Sequence, residues 1–252
     1  MSKKIFLGTV VASLFSCVSA FGQEMPAGNV IVNTACQISE GYTFADAVAV
    51  AREANITTED GPNLIFYRQP IAGAGAYPAN ALLRVVYWDN LAHWARSAAS
   101  RATAVTASAG GYLNEIVTCD NVNRSFFVNR NVGQGAAYAN GENNETLVSS
   151  RACEVAPGNT IEDVYAGLTA LNAPYGEQGN TTLMQLSQRF MGPREGQSMG
   201  ANIIIRLIGE DGVGLAERID MAGKPAGLPD DAPVANCADL SLWASHVIHW
   251  GI

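Results

Sequence analysis

Cations are scarce in this sequence: 15 Lys and Arg stand against 23 Asp and Glu over 252 residues, and no basic cluster occurs after Lys4. Such a chain lacks the footprint that displaces counterions from a phosphate backbone, which excludes nucleic acid as a partner. Long apolar runs are missing too. The stretch from Ile5 to Phe15 covers 11 residues, where a bilayer needs ~20, so no transmembrane segment is expected. There is no C-x-x-C pair, nucleophile elbow, phosphate loop, H-E-x-x-H or calcium loop, and the zinc, thiol-redox, hydrolase and nucleotide chemistries that use them have no motif to rest on. Histidines number 3. His246 and His249 would point to opposite sides of a strand, so no metal site is expected.

What the chain does contain begins with Lys3 and Lys4, an apolar stretch, and small residues at Ser16, Ser19 and Ala20. This is the layout of a secretory signal peptide, expected to span residues 1–22 and to be cut after Ala20 or Gly22. The protein is thus expected in the periplasm or outside the cell. A lipoprotein box at Leu14 to Cys17 is disfavoured by Phe15 in its middle, so anchoring at Cys17 is not expected. Without residues 1–22 the chain carries 13 basic against 23 acidic residues, a net charge near −10.

Four cysteines remain: Cys36, Cys119, Cys153 and Cys237. An even number in an exported chain points to disulfides. Their spacing also betrays a repeat, because one offset carries the first pair onto the second. Ala35-Cys36-Gln37-Ile38 matches Ala152-Cys153-Glu154-Val155, and Gly41, Thr43, Asp46 and Asn55 match Gly158, Thr160, Asp163 and Asn172. Further on, a shift of the offset brings Arg84, Asp89 and Arg96 onto Arg206, Asp211 and Arg218.

Both copies read alike. Thr43 with Asp46, and Thr160 with Asp163, form capping boxes at the start of a helix with one apolar stripe. Apolar runs follow at Leu64 to Tyr67 and Thr182 to Leu186, then at Ala81 to Trp88 and Asn202 to Gly209, all of them strand-like. Asp89 and Asp211 stand as N-caps of a second helix, which Gly212 and Gly214 weaken in the second copy. Strand-like sequence closes each copy, at Glu115 to Thr118 and Ser125 to Val128, and at Leu242 to His249. The expected units are residues 29–130 and 146–252, joined by a Gly- and Asn-rich linker at 131–145.

The order strand, helix, strand, strand, helix, strand is the split βαβ arrangement of α+β, ferredoxin-like folds. It sets the first strand beside an antiparallel fourth, and of the three pairings that four cysteines allow it selects Cys36–Cys119 and Cys153–Cys237. A single copy would leave one sheet face bare, and two copies can bury it by packing sheet to sheet. At this point the chain resembles the dimeric α+β barrel superfamily, in particular domains of the antibiotic-biosynthesis monooxygenase type, here as a pseudo-dimer within one chain. The local likeness lies in Arg84 to Arg96, a strand ending in Trp followed by a capped helix bearing His. The second copy departs from it, with Glu210 and Leu215 for Trp88 and His93.

The resemblance implies a pocket between sheet and helices for a small apolar ligand. It offers Asn33, Trp88 and His93 as catalytic or haem-binding candidates, since haem-degrading members line such a pocket with Asn, Trp and His. Arg84, Trp94 and Arg206 are candidates for lining a ligand pocket, the arginines for an anionic ligand. With no convergent polar set in the sequence, the expected function is a non-catalytic module that binds a small molecule or another protein, with no cofactor. The alternatives are a small monooxygenase-like or haem-handling enzyme using the first copy's pocket, and a component of a secreted or surface assembly.

Overall fold

The computed structural model describes residues 24–54, 60–73, 77–103, 111–137, 145–192, 202–222 and 232–251. The expected signal peptide, with Cys17, lies outside them, as do Asn55 and residues 138–144 of the expected linker. The first half of the chain runs β1 (Asn29–Ile38), α1 (Phe44–Glu53), β2 (Leu64–Ala72), β3 (Ala81–Trp88), α2 (Leu91–Thr103), α3 (Gly111–Ile116), β4 (Val117–Cys119) and β5 (Ser125–Val132). The second runs β6 (Glu145–Val155), α4 (Ile161–Glu177), β7 (Leu183–Met191), β8 (Ile203–Ile208), α5 (Gly212–Met221), β9 (Val234–Ala235) and β10 (Ser241–Trp250).

The helix starts follow the sequence closely. Thr43 Oγ1 accepts the Asp46 backbone N–H at 3.2 Å while Asp46 accepts the Thr43 N–H at 2.7 Å. Thr160 and Asp163 repeat the exchange at 3.2 and 2.8 Å, each box satisfying two orphan donors of a first turn. Asp211 caps α5, accepting from Gly214 at 2.8 Å, and this cap with the buried Leu215 holds the helix despite its glycines. Asp89 does not cap α2. Asn90 does, taking the His93 N–H at 2.9 Å, and Asp89 instead accepts from Asn63 at 2.7 Å. The stretch expected as a strand at Glu115 to Thr118 is divided between the end of α3 and β4.

All ladders between the strands are antiparallel. The first half is ordered β2-β3-β1-β5 and the second β7-β8-β6-β10. The halves meet in a way that differs from face-to-face packing. β5 pairs with β7, and β10 pairs with both β2 and β6, so the path returns on itself as a barrel. Closure removes the free edges that an open sheet would expose. The bare face of each half is buried by curling around a shared interior, where Ile31, Phe66, Val85, Phe127, Val148 and Trp243 form one cluster.

The outer face is covered by helices. Ala47, Val48 and Ala51 of α1 pack on Ile38, Tyr67 and Leu82, and Val164, Tyr165 and Leu168 of α4 pack on Met184, Leu186 and Ile203. Disulfides join Cys36 to Cys119 and Cys153 to Cys237, the pairing expected, each tying the approach to a last strand against β1 or β6. Such bonds fit an oxidising compartment. Among the described residues, no helix is long and apolar enough to cross a membrane.

Candidate functional site

Because strand side chains alternate between faces, each barrel strand sends half its residues inward. From β1 these are Ile31, which joins the interior cluster, and Asn33 and Ala35, which line a cavity of about 250 Å³ at one end of the barrel. Arg68 of β2, Arg189 of β7 and Arg206 of β8 also line it, with Phe127 and Trp243 as aromatic wall. The chain enters from β2 through Gly73, whose positive φ of 68° lets it pass tightly against the backbone of Leu240 where a side chain would clash. Ala238 and Asp239, next to Cys237, and Ala152, next to Cys153, sit at the same end, so the second disulfide braces this wall.

The arginines are the unusual feature. Arg68 and Arg206 are 2% and 3% exposed, yet buried cations are costly unless paired. Arg68 Nε donates to Ser245 Oγ at 3.2 Å. Arg206 Nη1 donates to Ser187 Oγ, which in turn donates to Asn129 Oδ1 at 2.7 Å. Burial, reinforced by the neighbouring charge of Arg68, pulls the Arg206 guanidinium down to about 10. Both cations lie near aromatic faces, Arg68 5.8 Å from the Phe66 centroid and Arg206 5.9 Å from that of Phe127, an attraction that desolvation strengthens. At the other end of the barrel a second, mostly apolar cavity is lined by Leu64, Phe66, Leu183, Ile208 and Trp250. There Tyr87 donates to Gln185 Oε1 at 3.1 Å.

Of the residues singled out in the sequence, Asn33 and Arg206 are brought together in the cavity. Trp88, His93, Trp94 and Arg84 stand on the outer side of the sheet. Trp88 packs with Val30, Val32 and Phe126 under α2; His93 meets its ring edge-on at 5.2 Å, with Nδ1 3.1 Å from Asp89 Oδ2. Trp94 lies edge-on against Phe126 at 5.0 Å. Arg84 reaches Asn121 at 2.9 Å. The matching of Arg84 to Arg206 is one residue out of register. Cys36 faces Leu82 as Cys153 faces Ile203, which makes Ile205 the counterpart of Arg84 and Val85 that of Arg206. A slip of one residue on a strand reverses the face.

Arg68, which sequence reasoning passed over, carried a signal: an arginine two places after Phe66 in an apolar strand shares that residue's buried face. A haem does not fit the expected trio. Asn33 points into the barrel while Trp88 and His93 lie beyond the sheet, and among the described residues the cavity wall has no His, Met or thiol, leaving the Tyr77 phenol as the candidate axial donor there.

No protein-family model matches the chain, and no curated protein does. Solved structures do match in fold. A monooxygenase-named protein from Lactobacillus acidophilus NCFM aligns with a TM-score of 0.52 at 9% identity, over 89% of this chain and 97% of its own. A mutant chlorite dismutase from Candidatus Nitrospira defluvii, in complex with cyanide, aligns with a TM-score of 0.51 at 9% identity, over 87% of this chain and 91% of its own. These neighbours have dimeric α+β barrel folds, and the present chain shares that class.

Two expectations are corrected by this finding. The neighbours are enzymes, which overturns the reading of a non-catalytic binding module and favours its enzyme-like alternative. The expectation of no cofactor is corrected as well, by a fold neighbour solved in complex with cyanide.

Proposed function

We propose that the protein is an exported enzyme of the monooxygenase-like kind, acting on a small organic molecule inside the barrel. In this reading residues 1–22 are a signal peptide, and 29–130 and 146–252 are two ferredoxin-like units in tandem, joined at 131–145. The matching capping boxes, disulfides and strand orders of the two halves support the duplication. The observation that carries the functional reading is the cavity itself: inside a closed barrel, Arg68, Arg206 and Asn33 converge on one space walled by Phe127 and Trp243. Convergent polar groups in an apolar enclosure are the usual form of a small-molecule site.

Chemically, the arginines would hold a substrate in its anionic form, and a surrounding of low dielectric strengthens that hold. An electron-rich anion is the form most readily oxidised by O2. Asn33 would orient it, and the aromatic wall would exclude water from the reacting atoms. In monooxygenation one oxygen atom enters the substrate and the other leaves as water, the electrons coming from the substrate or a reductant.

The test is oxygen uptake by protein purified from an oxidising compartment, over a panel of phenols and enolisable ketones, with absorbance and mass spectrometry of the protein as isolated. Uptake on at least one substrate, lost in Arg206→Met, is the expected result. A colourless, ligand-free protein that consumes no oxygen with any of them overturns the proposal.

A further inference from the structure

We infer that the barrel cavity binds a small organic acid, its carboxylate seated between Arg68 and Arg206 and its flat apolar body against Phe127 and Trp243. This deepens the enzyme reading, on which it rests for turnover but not for binding.

Two guanidiniums, each almost wholly removed from water, line one cavity. Among the described residues no Asp or Glu is buried, and the acid on the cavity wall, Asp239, is exposed at its rim. The partners the two arginines do have, Ser245 and Ser187, are neutral hydroxyls. They take one N–H from each fork and cancel none of the charge. Arg68 Nη2 and Asn33 Oδ1 are both enclosed and meet no hydrogen-bond partner. A polar atom buried in that state is normally found with the group it was placed to meet. An anion supplies that group, compensating two like charges that otherwise repel within a poorly solvated space.

Shape then narrows the class. A planar carboxylate matches the guanidinium fork. Part of the wall around the two heads is apolar, with Leu83, Phe127, Val148, Ile204 and Trp243 beside Asn123, Ser125 and Ser150, and a bare inorganic ion would leave that part uncovered. The volume, about 250 Å³, lies below the ~300–1,000 Å³ typical of drug-sized sites, which points to a single ring with few substituents. Trp243 Nε1 is already engaged by Ser150 and Ser241 at 3.1 and 2.9 Å, so the indole offers its face rather than a donor.

Calorimetry and thermal shift on the full oxidised chain, with benzoate, salicylate and phenylacetate as probes, decide the matter. Benzamide serves as the neutral isostere and inorganic phosphate as the bare anion. At least one carboxylate raises Tm and binds at millimolar concentration or below, benzamide does not, and Arg68→Met or Arg206→Met weakens binding by about 30-fold or more, as expected for loss of a buried charged partner. Without ligand, Arg68→Met keeps or raises Tm, because it removes an uncompensated charge.

Equal binding of benzamide and benzoate overturns the inference, and so does the absence of any shift with all three acids. Binding of phosphate alone refutes the organic class. If both Met variants lower the unliganded Tm and leave benzoate affinity unchanged, the arginines are structural and the inference fails. Oxygen uptake is scored separately. Carboxylate binding without turnover sinks only the enzyme reading, and turnover of neutral substrates without carboxylate binding sinks only this one.

Discussion

The two halves of the barrel set different residues at matching inward positions. Counted from Cys36 facing Leu82 and Cys153 facing Ile203, Val85 in the first half stands where Arg206 stands in the second. Ladder positions likewise pair Arg68 with Ser187, and Asn129 with Ser245. The two deeply buried cations therefore come one from each half, but from strands that do not correspond, and both rest on hydroxyls supplied by the second half. A barrel of two identical units would have repeated every group about its axis. Here a cavity lined by buried cations lies at one end and a mostly apolar one at the other, so the two ends of the barrel are not equivalent.

The largest effect is expected from the bonds that both halves possess. Replacing either cysteine pair by serine opens a loop spanning 83 or 84 residues and is expected to cost about 4 kcal/mol on the chain-entropy account. Urea unfolding followed by fluorescence and by circular dichroism checks it. Coincident transitions are expected whichever pair is lost, since the closed barrel makes the halves cooperative, and separated transitions would show them independent.

Next in size, Leu215→Ala is expected to destabilise by about 3 kcal/mol, as befits a wholly buried leucine. Trp94, which like Leu215 stands four residues after its N-cap, is only partly buried, and its truncation is expected to cost less. Arg206→Val copies the first half into the second and is expected to raise unliganded stability by about 1–3 kcal/mol, read from the denaturation midpoint.

Smaller still, Thr43→Ala and Thr160→Ala are each expected to lose about 1 kcal/mol, and equal losses would confirm that the two capping boxes do the same work. Last comes a pH effect confined to one seam. His246, 3.0 Å from Glu145 and edge-on to Phe44, has its pKa lowered by burial, with Glu145 opposing and Arg52 adding to the fall. A group with a depressed folded pKa is protonated more readily when unfolded, so its contribution is full above about pH 6.5 and is lost as pH falls below it. The decline in stability between about pH 7.5 and pH 5.5 is expected to be shallower in His246→Gln, and an unchanged slope would place the titration elsewhere.

Much of the framework was legible before the structure. The capping boxes, the cysteine spacing and the apolar stripes of α1 and α4 are local signals, and each appears where the residues put it. Which face a strand residue takes was harder to read. β3 and β8 read Ala-Leu-Leu-Arg-Val-Val-Tyr-Trp and Ile-Ile-Ile-Arg-Leu-Ile, apolar on both sides because one face packs inside the barrel and the other under helices. Without alternation nothing in such a run fixes the register, and Arg84 and Arg206 were matched one place out. The pocket suffered for the same reason: Trp88 and His93 are neighbours in sequence and space, yet the sheet separates them from Asn33. Closure into a barrel was expected only through the family resemblance, since pairing of β5 with β7 and of β10 with β2 is a long-range choice that no local pattern records.

That closure also changes how the molecule responds to dilution. A barrel assembled from two separate chains falls apart as its concentration drops, because the seams must re-form by collision. Here both seams lie within one polypeptide, where each half meets the other at a local concentration set by the connecting chain and not by the surroundings. The assembled state should therefore persist at dilutions where a barrel of two separate chains would come apart.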